Sequence, residues 1–176
     1  MMRFAVDTDI FVWLVRPRST GALKGVQPPV LVTDVVWKEG GARKQGDANG
    51  EAAERTSLMT AWAGAATDAA PPESKEAETA EALLLQGDLD DGEISILAWA
   101  VHHPEVVPVF HDHQALFRAV EELPLRPVLS FHGFLGQLRN QFGLDRAVAE
   151  RISQRYCKNL TWKHQRRPVA PEWWAR

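Results

Sequence analysis

Asp7, Glu39, Glu93 and Asp112 are the residues of this chain best placed to do chemistry. Asp7 ends the apolar run Phe4-Ala5-Val6, and Asp112 follows Val106–Phe110 by two positions. Glu39 comes soon after Val30-Leu31-Val32, and Glu93 follows Gly92 at the head of an apolar helical pattern. Carboxylate oxygens are the preferred ligands of hard divalent ions such as Mg²⁺ and Mn²⁺. Acids drawn from separate elements to one place form a metal site, or else an unfavourable concentration of charge. Two ions held there would activate a water and stabilise the leaving oxygen of a phosphodiester. Each acid also has a plainer role. Asp7 and Asp112 suit helix N-caps, and Glu93 suits the positive end of a helix dipole. Glu39 could be an exposed helical acid beside Lys38. Asp9 is divided between a cap and support for the cluster, and Asp34 reads as a cap. Joint placement, not any single residue, argues for metal.

The elements that would position these acids follow from periodicity. Apolar runs at Arg3–Val6, Val30–Val32, Val106–Phe110 and Pro127–Leu129 read as buried strands. Helical spacing places helices at Ile10–Leu14, after a cap at Thr8 or Asp9, and through Val35, Val36 and Glu39, after a cap at Thr33 or Asp34. Further helices are expected at Glu51–Ala63, Lys75–Gln86, Glu93–His103, Gln114–Glu121, Phe131–Phe142 and Leu144–Tyr156, with one short turn at Leu23–Val26. Gly64–Pro72 reads as a small-residue linker. Strands alternating with helices imply an α/β chain, a three-layer α/β/α arrangement with a mostly parallel central sheet. Ligands bind outside the carboxyl ends of such strands, where Asp7 and Asp112 fall.

Of 176 residues, 45% are hydrophobic and 24% charged, which suits one globular unit with a real core. The single cysteine, Cys157, excludes an intrachain disulfide framework and makes a reducing cytoplasm the default. No signal-peptide h-region is visible and no apolar run approaches membrane-spanning length. The net charge of −3 conceals an asymmetry: residues 1–125 hold 10 Lys/Arg against 20 Asp/Glu, residues 126–176 hold 10 against 3. In that basic end, Arg151, Arg155, Lys158, Lys163, Arg166 and Arg167 surround Tyr156 and Trp162 and could stack and hold single-stranded RNA. A self-packing or partner-binding surface accounts for them nearly as well.

The ordered set Val6-Asp7-Thr8-Asp9, Glu39, Gly92-Glu93-Ile94-Ser95-Ile96-Leu97-Ala98 and Val109-Phe110-His111-Asp112-His113 resembles the PIN domain family, which includes the VapC-type toxins of bacterial toxin–antitoxin pairs. The resemblance spans about residues 3–142. It implies a PIN-like catalytic domain over 1–142; the basic C-terminal helix and Trp/Pro-rich tail, 143–176, are additional to it and are expected to pack on the same domain. The implied activity is a Mg²⁺- or Mn²⁺-dependent endoribonuclease whose metal-site acids are Asp7, Glu39, Glu93 and Asp112, with Asp9 in support. RNA is the implied substrate, and a small antitoxin and a second copy of the chain are the implied partners. His111 and His113 depart from the hydroxyl and acid that commonly flank the last Asp. At most one of that pair should face the site, and His113 reads as a surface histidine.

Two other readings compete. Asp7-Thr8-Asp9 also resembles the nucleophile and acid/base pair of haloacid-dehalogenase-like phosphatases, with Thr33, Lys75 and Gly87-Asp88 plus Asp91 as the later motifs. That reading needs a strand at Leu83–Leu85, which lies inside a helical pattern. The other is a non-catalytic binding module of PIN-like fold, in which the acids serve only as caps.

Overall fold

A computed structural model describes residues 2–42 and 50–160, with the backbone alone at Leu160. Four strands form a fully parallel sheet flanked by helices, in the order β2-β1-β3-β4. They are β1 (Arg3–Val6), β2 (Val30–Leu31), β3 (Val106–Phe110) and β4 (Leu129–Ser130). The central strand β1 pairs Phe4 with Val30 on one side and Arg3 to Val6 with Val106 to Val109 on the other. Phe4, Ala5 and Val6 are all buried, as is every residue of β3. Both faces of these strands are therefore covered, which is why they read as continuous apolar runs and not as alternating ones.

The helices are α1 (Thr8–Val15), α2 (Thr20–Lys24), α3 (Asp34–Gly41), α4 (Glu51–Ala63), α5 (Lys75–Gln86), α6 (Asp91–His102), α7 (His113–Glu122), α8 (Phe131–Asn140) and α9 (Arg146–Leu160). The first follows β1 directly, capped by Asp7 and not by Thr8 or Asp9. Thr33 caps α3, accepting from Val36 N–H at 3.3 Å. Strand β4 begins at Leu129, two residues later than Pro127, and its Ser130 already caps α8. The short helix of the second segment is Thr20–Lys24 rather than a turn at Leu23–Val26.

The stretch expected as a linker carries a sheet contact. Thr67 forms a parallel bridge with Thr33: its N–H donates to Val32 O and its C=O accepts from Asp34 N–H, each at 2.8 Å. A one-residue pairing leaves no periodic trace, so the small residues around it read as coil.

Helix α4 is fastened to the end of α2 and the end of α3 by polar groups turned inward. Trp62 Nε1 donates to Leu23 O and Val26 O, at 3.0 and 3.1 Å. The Arg55 side chain is buried and donates to Gly40 O at 3.0 Å and Ala42 O at 3.1 Å. It thereby satisfies carbonyls at the end of α3 that the helix leaves unpaired. Hydrogen bonds from a charged donor are worth about 1.5–3 kcal/mol each, so Arg55 anchors the turn that follows Glu39. Gly40 faces Met59 so closely that a Cβ there would lie 2.7 Å from its sulfur.

Helix α9 packs on α1 and α8, and Leu144, Val148, Ala149, Ile152 and Tyr156 join the same hydrophobic core as the sheet. Among the described residues, no helix is long and apolar enough to cross a membrane.

Candidate metal centre

Asp7 stands at the carboxyl end of the central strand, its backbone N–H donating to Val109 O of β3 at 3.3 Å. Its side chain caps α1, with Oδ1 accepting from Thr8 N–H at 2.7 Å. Glu39 reaches the same place from the last turns of α3, its Oε2 accepting from Thr8 Oγ1 at 2.8 Å. From the far side comes the first turn of α6. A Cβ added at Gly92 would lie 2.9 Å from Glu39 Oε2, 3.4 Å from Asp90 Oδ1 and 3.5 Å from Asp7 Oδ1. Carboxylates from three elements thus converge where residue 92 has no side chain.

The first turns of α3 and α6 are locked together beside this point. Ser95 Oγ donates to Gly92 O at 2.7 Å, and Thr33 Oγ1 lies 2.8 Å from Ser95 Oγ. With the serine proton committed to the carbonyl, the Thr33 hydroxyl is the donor between them.

Glu93 is 6% exposed and forms a capping box with Asp90. Its N–H donates to Asp90 Oδ1 at 2.9 Å, and its Oε2 accepts from Asp90 N–H at 3.1 Å. Burial, with the carboxylates of Asp90, Asp112 and Asp9 adding to it, pushes Glu93 up to about 7 against the pull of that N–H. Burial likewise holds Asp7 well above the ordinary carboxylate range. Asp9, Asp90 and Glu93 raise it further and the Thr8 N–H opposes them. Among the described residues, no lysine or arginine pairs with Asp7, Glu93 or Asp112 to offset this charge.

Asp112 lies at the exposed rim, capping α7 through Oδ1, which accepts from Gln114 N–H at 2.6 Å. Asp9 is half-buried in the first turn of α1. His113 is exposed, whereas His111 is half-buried with Nδ1 2.9 Å from the Tyr156 hydroxyl and its ring against Trp13. Arg151, Arg155 and Lys158 project from the outer face of α9. Lys163, Arg166 and Arg167 lie outside the described residues.

The acids fit a divalent cation in donor type and in charge, but they are not a closed cage. Among the described residues, no three His, Cys, Asp or Glu side chains already converge tightly enough to hold an ion. Asp7, Glu93 and Asp112 each give one oxygen to a backbone N–H at a helix start, and Glu39 gives one to Thr8. Capping bonds therefore occupy Asp7, Glu93 and Asp112, while Asp7, Glu39 and Asp90 are the carboxylates brought beside Gly92.

Three residues at the site escaped the sequence reading. Asp90 is not among the sequence candidates, although the spacing Asp-x-x-Glu before an apolar helix is a capping-box signature. Thr8 passed as a cap, and Arg55 carries no signal, since a lone arginine in a helix is normally solvated. The groups needed by the phosphatase reading are scattered: Thr33 is committed to Ser95, Lys75 is the exposed first residue of α5, Asp88 is paired with Arg118 at 2.7 Å, and Leu83–Leu85 is helical.

No protein-family model, curated protein or solved structure gives a significant match to this chain.

Proposed function

We propose that the chain is a Mg²⁺- or Mn²⁺-dependent endoribonuclease of PIN type, acting on RNA phosphodiester bonds. The observation that carries this reading is the meeting of Asp7, Glu39 and the Gly92 turn at the carboxyl edge of β1. Asp7, Glu39 and Glu93 would hold the cation, with Asp112 at the rim and Asp9 in support. A cation held by them would supply activation of a water and neutralisation of phosphate charge. The protein's own contribution is to fix the acids on a rigid sheet edge and to bury Asp7. The raised proton affinity of Asp7 and Glu93 marks a site short of positive charge, which a cation supplies.

The resemblance to VapC-type toxins adds a cytoplasmic setting, a small antitoxin as partner and a homodimer. The exposed basic face of α9 suits the sugar–phosphate backbone of a single strand. The phosphatase reading draws no specific observation in its favour, and the binding-module reading draws only the capping bonds of Asp7, Glu93 and Asp112.

Incubation with single-stranded RNA tests the proposal. Cleavage should require Mn²⁺ or Mg²⁺, stop with EDTA, and fall roughly 10³-fold or more in Asp7→Asn, the scale of several kcal/mol of lost charge stabilisation. Hydrolysis that persists in EDTA, or in Asp7→Asn, would overturn it.

A further inference from the structure

We propose that Thr8 is a positioning residue that sets the separation between the two innermost acids, an inference that rests on the metal-site reading above. Thr8 is 3% exposed and uses both of its donors on carboxylates: N–H to Asp7 Oδ1 and hydroxyl to Glu39 Oε2. A threonine hydroxyl has a single proton, and a carboxylate can only accept, so the bond to Glu39 consumes the donor outright. The branched side chain is stiff about χ1, and its backbone is fixed by the start of α1. Asp7 is itself anchored to β3 through Val109 O. Thr8 therefore joins a rigid sheet edge to Glu39, 31 residues away on α3. The same C-terminal end of α3 is secured by Arg55 through Gly40 O and Ala42 O. With its side chain bonded to Thr8 and the backbone just after it bonded to Arg55, Glu39 keeps its carboxylate against Gly92 and beside Asp7, which is where a shared cation needs it. Groups that orient metal ligands in this way are typically worth about 10–100-fold in metal affinity.

Thr8→Val keeps the shape and removes the hydroxyl, whereas Thr8→Ser keeps the hydroxyl. Isothermal titration with Mn²⁺ should show affinity about 10–100-fold weaker in Thr8→Val, and close to wild type in Thr8→Ser. In the metal-free protein, melting temperatures of Thr8→Val, Glu39→Ala and the double variant should be non-additive, because the hydroxyl of Thr8 loses its bond to Glu39 in each case. Additive melting shifts would overturn the hydrogen bond whatever the metal does. Equal Mn²⁺ affinity in wild type and Thr8→Val, or a Thr8→Ser variant as weak as Thr8→Val, would overturn the positioning role. Failure of wild type to bind Mn²⁺ while the melting shifts stay non-additive would instead remove the metal-site reading, and this inference with it.

Discussion

The acid edge of the sheet and the basic face of α9 carry opposite charge and are built on opposite principles. At the acid edge, Asp7 and Glu93 are each 6% exposed and sit among carboxylates that push their proton affinity upward, without a cationic side chain among the described residues to relieve them. On α9, Arg151, Arg155 and Lys158 stand in water, and the same helix buries Ile152, Ser153 and Tyr156 on its other side. Charge that is solvated costs the fold little; charge that is buried among its own kind costs a good deal. The first arrangement is worth keeping only if something outside the protein, such as a metal ion, makes use of it. The two regions should therefore respond differently to substitution.

The largest contrast is expected in stability. A carboxyl whose pKa is higher in the folded chain than in the unfolded one favours the fold while protonated and loses that contribution as pH rises through the folded value. For Glu93 the window runs from 4.5 up to about 7, and Asp7 acts in the same direction. Urea midpoints of the metal-free protein should thus fall across that window. Glu93→Gln should flatten the fall, since Gln can keep the capping box. At neutral pH Asp7→Asn should also melt higher, by at least about 2 °C, the shift that roughly 1 kcal/mol gives a chain of this size. A wild-type midpoint that does not fall between those values would remove the electrostatic conflict on which the contrast depends.

The smaller effect belongs to α9. Replacing Arg151, Arg155 and Lys158 with Gln should leave stability within about 0.5 kcal/mol of wild type. It should weaken RNA binding and lower the slope of log affinity against log salt by about 0.7 for each phosphate no longer neutralised. Fluorescence anisotropy with labelled single-stranded RNA would measure both. An unchanged salt slope would assign this face to a protein partner or to solvent alone.

How far the sequence could be read depended on whether the signal was periodic or solitary. Strands β1 and β3 were legible because burial on both faces turns them into apolar runs between polar junctions, and α4 and α5 fell where their spacing put them. Acids ending such runs were legible as candidates for the same reason, since a strand's end fixes where the next residue points. Thr67 was not legible: its pairing with Thr33 rests on two backbone hydrogen bonds, which any residue could make. Arg55 misled in the other direction, because pattern alone places arginine in water, whereas carbonyls left over by α3 draw it inside. The hydrogen bond between Thr8 and Glu39 spans elements whose relative position only the fold supplies.

The central claim is that the acids at the edge of β1 share a cation. Crystals grown with Mn²⁺ and measured at an anomalous wavelength test it most directly. The account predicts an anomalous peak bonded to an Asp7 carboxylate oxygen and to at least one of Glu39, Glu93 and Asp112, absent in Asp7→Asn. Well-ordered acids with no peak between them, their oxygens still given to Thr8, Asp90 and Gln114, would contradict it and leave these side chains as helix caps.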